Sequence, residues 1–196
     1  MKLHLHLCLL AIAILFGTAA CRNTATSNEG AMAVATTSSD EDVAAQPTTI
    51  YLVRHAEKDI SNPSEQDPDL TAEGAARAEA LRARLEGQKI DVLFSTKYKR
   101  TQNTLKPMAE ARNLEVQLYE AHDFIGISSQ IKEQHQGKTI VIAGHSNTIL
   151  PLVEALGAKR PIPDITDSQY DYLFKVTLDP KGEAAVETAK YGAMAK

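Results

Sequence analysis

The 196-residue sequence contains no tryptophan, and aromatic residues make up only 5% of it. It therefore has little material for the aromatic platforms on which proteins stack nucleic acid bases. It also lacks an excess of positive charge, since 21 Lys and Arg residues stand against 25 Asp and Glu residues, a formal net charge of -4. We therefore expect no nucleic acid partner bound through its phosphates. A small anionic ligand stays compatible with the sequence, because a local arginine cluster can bind one whatever the net charge.

Cysteine is equally scarce, and both cysteines, Cys8 and Cys21, lie near the N-terminus. The rest of the chain has no thiol, which excludes a disulfide framework, a cysteine-ligated metal site and a thiol nucleophile there. Carboxylates at Glu57, Asp59 and Asp67 lack the spacing of a metal site. We therefore expect neither a metal nor another cofactor.

Residues 1–20 have the layout of a secretory signal peptide, with one charged residue, Lys2, an apolar run from Leu7 to Phe16, and small residues before Cys21. The apolar run is short for a transmembrane helix, which needs about 20 residues. Residues 18–21, Thr-Ala-Ala-Cys, resemble a bacterial lipobox, in which the cysteine is acylated. We therefore expect an exported lipoprotein, anchored to the membrane through Cys21 and facing the periplasm or the cell exterior. Simple cleavage and a retained anchor are the alternatives.

The composition changes after Cys21, because residues 21–48 are rich in Ala, Thr, Ser, Asn and acidic residues, with little that could pack. This composition predicts a disordered tether. The remaining residues, 49–196, are long enough for one folded domain.

Within that domain, short β-prone runs alternate with helix-prone stretches. Strands are predicted at 49–53, 92–94, 139–143, 172–178 and 185–190, with a further β-like run at 116–119, and helices at 71–85, 97–112, 127–135 and 147–156. The alternation predicts a three-layer α/β/α fold with a mostly parallel central sheet and helices on both faces. The last two strands are predicted to form an antiparallel hairpin at the edge of this sheet.

Polar residues follow three of the predicted strands. Arg54 and His55 follow the first strand, Arg100 comes shortly after the second, and His145 follows the third. Because sites in α/β sheets form beyond the carboxyl ends of the strands, we expect these four side chains at one rim. Arginine forks donate several charge-assisted hydrogen bonds to phosphate, and a neutral imidazole can attack phosphorus directly.

Three segments resemble motifs of the histidine phosphatase superfamily, also called the phosphoglycerate mutase-like family. Residues 52–57, Leu-Val-Arg-His-Ala-Glu, resemble its Arg-His-Gly motif, and residues 95–104 resemble its Ser-x-x-x-Arg-Ala-x-x-Thr segment. Residues 144–147, Gly-His-Ser-Asn, resemble its second-histidine motif. The resemblance covers about residues 49–178, and the small phosphohistidine phosphatases are the nearest match in size. It implies the phosphoglycerate mutase-like fold and catalysis without a cofactor.

The resemblance also implies a role for each matched residue. His55 would be the nucleophile that becomes phosphorylated, Arg54 and Arg100 would bind phosphate, and His145 would donate a further hydrogen bond to it. Ala56 stands where the family has glycine, so its backbone is expected to avoid dihedral angles that only glycine adopts.

The general acid that protonates the leaving group is an open assignment. The family often supplies it from an acidic residue between the second arginine and the second histidine. Glu120 and Asp123 both lie there, and we favour Glu120, with Asp123 or no dedicated acid as the alternatives. Residues 60–69 and 121–129 are expected to line the side of the site that binds the substrate.

Other polar residues near the motifs are predicted to have no catalytic role. Lys97, Tyr98 and Lys99 are interpreted as a solvated first turn of a helix, with the steering of an anionic substrate as the alternative. His122 and His135 are interpreted as surface residues.

The expected function is that of a metal-independent phosphatase, which hydrolyses a phosphomonoester or a phosphohistidine through a phosphohistidine intermediate on His55. Its substrate would be a phosphorylated small molecule or a phosphoprotein. The alternatives are a phosphoglycerate mutase-type phosphotransferase and a non-catalytic module that binds phosphate or a phosphoprotein.

Overall fold

The computed structural model of the protein describes residues 46–194. The predicted signal peptide, Cys21 and the predicted tether up to residue 45 therefore lie outside the described residues. In chain order the elements are β1 (Thr48–Arg54), α1 (Ala72–Arg84), β2 (Val92–Ser95), α2 (Lys99–Arg112), β3 (Val116–Leu118), α3 (Phe124–Gln134), β4 (Thr139–Gly144), α4 (Ser146–Ala155), β5 (Tyr172–Leu178) and β6 (Ala184–Lys190). Within residues 46–194, no helix has the length and apolar character needed to span a membrane.

The strands form one six-stranded sheet in the order β3-β2-β4-β1-β5-β6. Strands β1 to β4 run parallel to one another, whereas β5 is antiparallel to β1 and β6 is antiparallel to β5. The last two strands thus form the edge hairpin that the sequence predicts.

Helices cover both faces of this sheet. Along β1, Ile50 and Leu52 belong to a buried cluster that also contains residues of α3 and α4. Tyr51 and Val53 belong to a second cluster, with residues of α1 and α2. Because successive side chains of a strand point to opposite faces, the two clusters lie on the two sides of the sheet. The predicted three-layer α/β/α fold is confirmed, and burial on both faces explains the apolar runs in the middle of β1 and β4.

Helices α2 and α3 begin at other residues than predicted, because the conformation or the hydrogen bond of one N-cap residue sets each start. Helix α3 begins at Phe124, earlier than predicted, because an Asp123 carboxylate oxygen accepts the Gly126 N–H at 2.8 Å. Helix α2 begins at Lys99, later than predicted, because Tyr98 has an extended backbone, with φ -76° and ψ 141°.

The register of the sheet brings the polar motifs to the same rim. Arg54 lies opposite Gly144 at the ends of β1 and β4, and Ser95 lies opposite Ala143 at the ends of β2 and β4. Residues that follow these three parallel strands therefore emerge side by side.

Candidate active site

A cleft of about 460 Å³ lies at this rim. Its walls include all five residues predicted as catalytic or phosphate-binding, which are Arg54, His55, Arg100, Glu120 and His145. Residues 121–123 also line the cleft, as expected, but residues 60–69 do not. The loop packs on the start of α2, where Asp67 accepts the Lys99 N–H at 3.0 Å and lies 3.6 Å from Nη1 of Arg100. That the loop borders the substrate stays a prediction.

The His55 side chain is buried and held in one tautomer. Its Nδ1 lies 2.8 Å from the carbonyl oxygen of Ala56. A carbonyl can only accept, so Nδ1 carries the proton and Nε2 of the neutral ring keeps its lone pair. Burial, assisted by the charges of Arg54 and Arg100 and opposed by the bond to Ala56, lowers the pKa of His55 to about 3. At neutral pH the ring is therefore uncharged, which is the form in which a histidine can act as a nucleophile.

The backbone after His55 is anchored to helix α2. The Ala56 N–H donates to the Thr104 hydroxyl at 2.9 Å, and this hydroxyl donates to the Arg100 carbonyl at 2.7 Å. Among residues 46–194, Asn113 alone of the non-glycine residues has a positive φ. The expectation that Ala56 avoids glycine-only dihedral angles is confirmed.

Arg54 is nearly buried, with a side chain that is 5% exposed. Its Nη1 donates to the carbonyl oxygens of Thr166, Asp167 and Gln169 at 2.7, 3.0 and 3.2 Å. These carbonyls belong to the loop between α4 and β5, which the sequence analysis did not connect with the site. The Nε of Arg54 is buried and makes no hydrogen bond within residues 46–194.

Arg100 is also largely buried and lies beside a carboxylate. Its side chain is 14% exposed, and its Nη1 lies 3.6 Å from a carboxylate oxygen of Asp67. Its Nε is also buried without a hydrogen-bond partner in the described part of the chain. An unpaired buried donor costs about 1–3 kcal/mol. Two such donors in one cleft indicate a site for an anion with several oxygens.

His145 lies next to His55, with the ring centroids 5.5 Å apart. Its Nε2 is 3.0 Å from the Thr96 hydroxyl, which lies 2.8 Å from the hydroxyl of Thr101. Both threonines are buried, so this hydrogen-bonded chain fixes the orientation of the ring. Burial, followed by the charge of Arg100, lowers the pKa of His145 to about 4.

Two tyrosines pack against the arginines. The Arg100 guanidinium lies 4.3 Å from the centre of the Tyr98 ring, and the Arg54 guanidinium lies 4.1 Å from the centre of the Tyr170 ring. The interpretation of Tyr98 as part of a solvated turn is wrong, although Lys97 and Lys99 on either side are exposed. Tyr170 follows the loop that binds Arg54, and no motif in the sequence marks it.

The two candidate general acids differ in their surroundings. Glu120 lies exposed on the cleft wall, and its carboxylate makes no hydrogen bond or ion pair with any residue that the structure describes. The Asp123 carboxylate also borders the cleft but is engaged as the cap of α3. Glu120 is thus the carboxylate that is free to meet a ligand.

The two other histidines of residues 46–194 have different environments. His122 is exposed, as predicted, and lies on the wall of the cleft. His135 is half-buried, with its ring 5.5 Å from that of Phe94, so its interpretation as a surface residue is wrong. Its position at the end of α3, facing the core, is the reason.

Among residues 46–194, no group of three or more His, Cys, Asp or Glu residues is arranged to hold a metal ion.

Comparison with known proteins agrees with this geometry. The model of the histidine phosphatase superfamily (branch 1) matches residues 50–123. Phosphoserine phosphatase 1 of Hydrogenobacter thermophilus is 42% identical over 72 residues, which are 34% of this chain and 34% of that protein. The chain therefore aligns with about a third of the length of this curated relative.

Solved structures with other sequences share the fold. The protein histidine phosphatase SixA, complexed with tungstate, superposes with a TM-score of 0.61 at 18% identity, over 72% of this chain and 96% of that one. A mycobacterial glucosyl-3-phosphoglycerate phosphatase superposes with a TM-score of 0.56 at 13% identity, over 76% of this chain and 100% of that one. The family model thus matches residues 50–123 of the chain, and these residues lie within a domain that has the fold of SixA.

Proposed function

We propose that the protein is a metal-independent phosphatase, which hydrolyses a phosphomonoester or a phosphohistidine through a phosphohistidine intermediate on His55. One observation carries the proposal. The neutral His55 ring, with its proton held on Nδ1 by Ala56, shares a cleft with two buried guanidinium groups that each have an unpaired Nε–H. This combination supplies a nucleophile and the donors for the phosphoryl group that it attacks.

In the first step, Nε2 of His55 attacks phosphorus, so that an N–P bond forms while the bond between phosphorus and the leaving oxygen breaks. The leaving oxygen takes the electron pair of the broken bond. Arg54 and Arg100 donate to the phosphoryl oxygens, where negative charge spreads in the transition state. The positive charge that develops on the ring is stabilised by the Nδ1–H bond to the Ala56 carbonyl.

Glu120 is proposed as the general acid of this step, because its carboxylate is the acid on the cleft wall that has no other partner in the described chain. It gives one proton to the leaving oxygen. In the second step it takes a proton from the water that attacks the phosphohistidine. The N–P bond then breaks, inorganic phosphate leaves, and both Glu120 and His55 return to their starting states.

The names of the similar proteins support a choice of substrates to test. Phosphoserine follows from the curated relative, and phosphohistidine follows from the SixA structure. Both present a terminal phosphoryl group of the kind that the two arginines can bind.

The location of the protein is also a proposal. We propose that residues 1–20 are removed on export and that Cys21 carries a lipid, so that residues 21–48 tether the phosphatase domain to the membrane. Incorporation of a labelled fatty acid tests this proposal. Label in the unsubstituted protein that is absent from Cys21→Ala is the expected result, and equal labelling of both would contradict it.

The test of the function is hydrolysis of p-nitrophenyl phosphate by the protein with and without EDTA. The expected result is turnover that survives EDTA and is abolished in His55→Ala. His135→Asn is the matched control, since it removes a half-buried histidine that does not line the cleft. Turnover that EDTA abolishes, or that persists in His55→Ala, would contradict the mechanism. Phosphate binding without turnover on p-nitrophenyl phosphate, phosphoserine or phosphohistidine would favour a binding module.

A further inference from the structure

Each arginine of the cleft shares a tyrosine with one of the two histidines. The Tyr98 ring faces the Arg100 guanidinium at 4.3 Å, and its centre lies 5.2 Å from that of His145, with the ring planes at 87°. The Tyr170 ring faces the Arg54 guanidinium at 4.1 Å, and its centre lies 6.0 Å from that of His55. The two pairs come from different parts of the chain, and each places a tyrosine ring between an arginine and a histidine, although the ring planes meet at 87° in the first pair and at 53° in the second.

Tyr98 occupies a backbone position that does not favour tyrosine. It is the N-cap of α2, a place where Ser, Thr, Asp or Asn usually accepts a backbone N–H. Tyr98 makes no such bond, and the carboxylate of Asp67 accepts the Lys99 N–H in its place. A residue that breaks a local rule while a distant residue compensates indicates a functional requirement for its side chain.

Tyr170 is positioned by the residues on either side of it. The carbonyl of Gln169 accepts a hydrogen bond from Arg54 at 3.2 Å. Asp171 is buried, and its carbonyl accepts the Tyr191 N–H at 2.9 Å. The backbone at Tyr170 is thus held on one side by Arg54 and on the other by Tyr191, the residue that follows β6.

A ring face holds an arginine without using its hydrogen-bond donors, because the attraction is between the cation and the π-system. Arg77 shows the contrasting arrangement in the same chain. Its Nε and Nη2 donate to the Glu57 carboxylate at 2.7–2.9 Å, and its Nη1 donates to the carbonyls of Tyr191 and Ala193. Arg77 also lies near a tyrosine ring, that of Tyr191, but at the longer distance of 5.8 Å, and its Nε is paired. Arg54 and Arg100 lie closer to their rings, and each keeps a buried Nε–H unpaired, although Arg54 Nη1 donates to three carbonyls.

We propose that Tyr98 and Tyr170 are positioning residues, which hold Arg100 and Arg54 by their ring faces and so keep guanidinium N–H groups available for phosphoryl oxygens. This inference rests on the proposed function for the identity of the anion. It assigns to two tyrosines the orientation of the phosphate-binding groups.

The test weakens the attraction between the ring face and the guanidinium in steps, while the size of the side chain stays nearly constant. Position 98, and separately position 170, is replaced in the full-length chain by phenylalanine and by its mono-, di- and trifluorinated forms. Fluorine withdraws electron density from the ring face, so each added fluorine weakens the attraction for a cation. Affinity for inorganic phosphate and kcat/KM for p-nitrophenyl phosphate are measured for each protein relative to its phenylalanine form.

We expect both quantities to fall stepwise with fluorination, by about 5- to 30-fold across each series, the range for a cation–π contact that is partly to fully desolvated. A ring that serves only to fill space would give a flat series. A flat series at both positions, with thermal unfolding showing the proteins folded, would overturn the inference.

Tyr172 provides the matched control. Its ring lies 3.3 Å from the ammonium of Lys190, which is not a residue of the cleft, rather than from one of the two cleft arginines. The same fluorinated series at position 172 is expected to change the unfolding temperature and to leave phosphate affinity constant. Equal slopes at positions 98 and 172 would overturn the inference, because the effect would then not depend on the arginines.

The binding measurement separates this inference from the proposed function. A stepwise fall in phosphate affinity in a protein without turnover would support the role of the tyrosines and contradict the phosphatase. Turnover with flat series at positions 98 and 170 would support the phosphatase and overturn the role of the tyrosines.

Discussion

Substitution of His55 by asparagine is predicted to make the protein less sensitive to acid. In the unfolded chain a histidine has a pKa of about 6.5. In the folded protein burial lowers the pKa of His55 to about 3. As the pH falls below about 6.5, the unfolded state therefore takes up a proton at His55 that the folded state does not bind. Stability is lost over the interval between these two values.

The size of the effect follows from the difference in bound protons. Below pH ~6.5 each further pH unit costs the folded protein about 1.4 kcal/mol through this one residue. Between pH 7.5 and pH 5.0 the loss from His55 amounts to roughly 2 kcal/mol, because the folded state stays unprotonated over this interval. The asparagine variant lacks this loss, whereas all other titrating groups remain.

Urea unfolding in phosphate-free buffers at several pH values measures this difference. The free energy of unfolding of the unsubstituted protein should fall by about 2 kcal/mol more than that of His55→Asn over the interval. His135→Asn is the comparison, because burial also lowers the pKa of His135, but its ring is only half-buried and should contribute less. Parallel curves for the unsubstituted protein and His55→Asn would refute the neutral, buried state assigned to His55.

Three further substitutions test other parts of the structure. Arg100→Ala should remove about 3–5 kcal/mol of transition-state stabilisation, by analogy with the loss of a buried charge partner. The loss is measured as a fall in kcat/KM for p-nitrophenyl phosphate. Glu57→Gln should lower the free energy of unfolding by about 3 kcal/mol, because it leaves the buried Arg77 guanidinium without its anion. The exposed ion-pair residue Glu79 is the control, and Glu79→Gln should change stability by less than about 1 kcal/mol. Glu120→Gln should slow hydrolysis of alkyl phosphates more than that of p-nitrophenyl phosphate, whose leaving group needs no proton.

Each of these predictions has an outcome that would contradict it. Near-normal kcat/KM in Arg100→Ala would remove that residue from phosphate binding. Equal stability losses in Glu57→Gln and Glu79→Gln would show that burial of the Arg77 pair has no special effect. Equal losses of rate on both kinds of substrate would remove Glu120 from its acid role and leave Asp123 or no dedicated acid.

Much of the fold could be predicted because the strands alternate with helices and are buried on both faces. The runs predicted at 49–53, 92–94 and 139–143 became β1, β2 and β4 with small changes at their ends. The beginnings of helices were less predictable, since a side-chain cap decides them. Asp123 and Gly126 have the spacing of a cap, and this signal could have located the start of α3.

The sequence indicates the residues of the site that follow strands, but not those that come from the loop between α4 and β5. Arg54, His55 and His145 directly follow strands, and parallel strands deliver them to one rim whatever path the loops take. Tyr170 and the carbonyls that bind Arg54 come from a loop whose path depends on tertiary packing. No periodicity or motif encodes such a contact, so it becomes visible only in the structure.

The central claim is that phosphate passes through His55, and the most direct measurement is rapid quenching during turnover of a radiolabelled phosphomonoester. We predict label on the protein that is lost in acid, is stable in base, maps to His55, and is absent from His55→Ala. Turnover without any labelled protein, or label on another residue, would contradict the account.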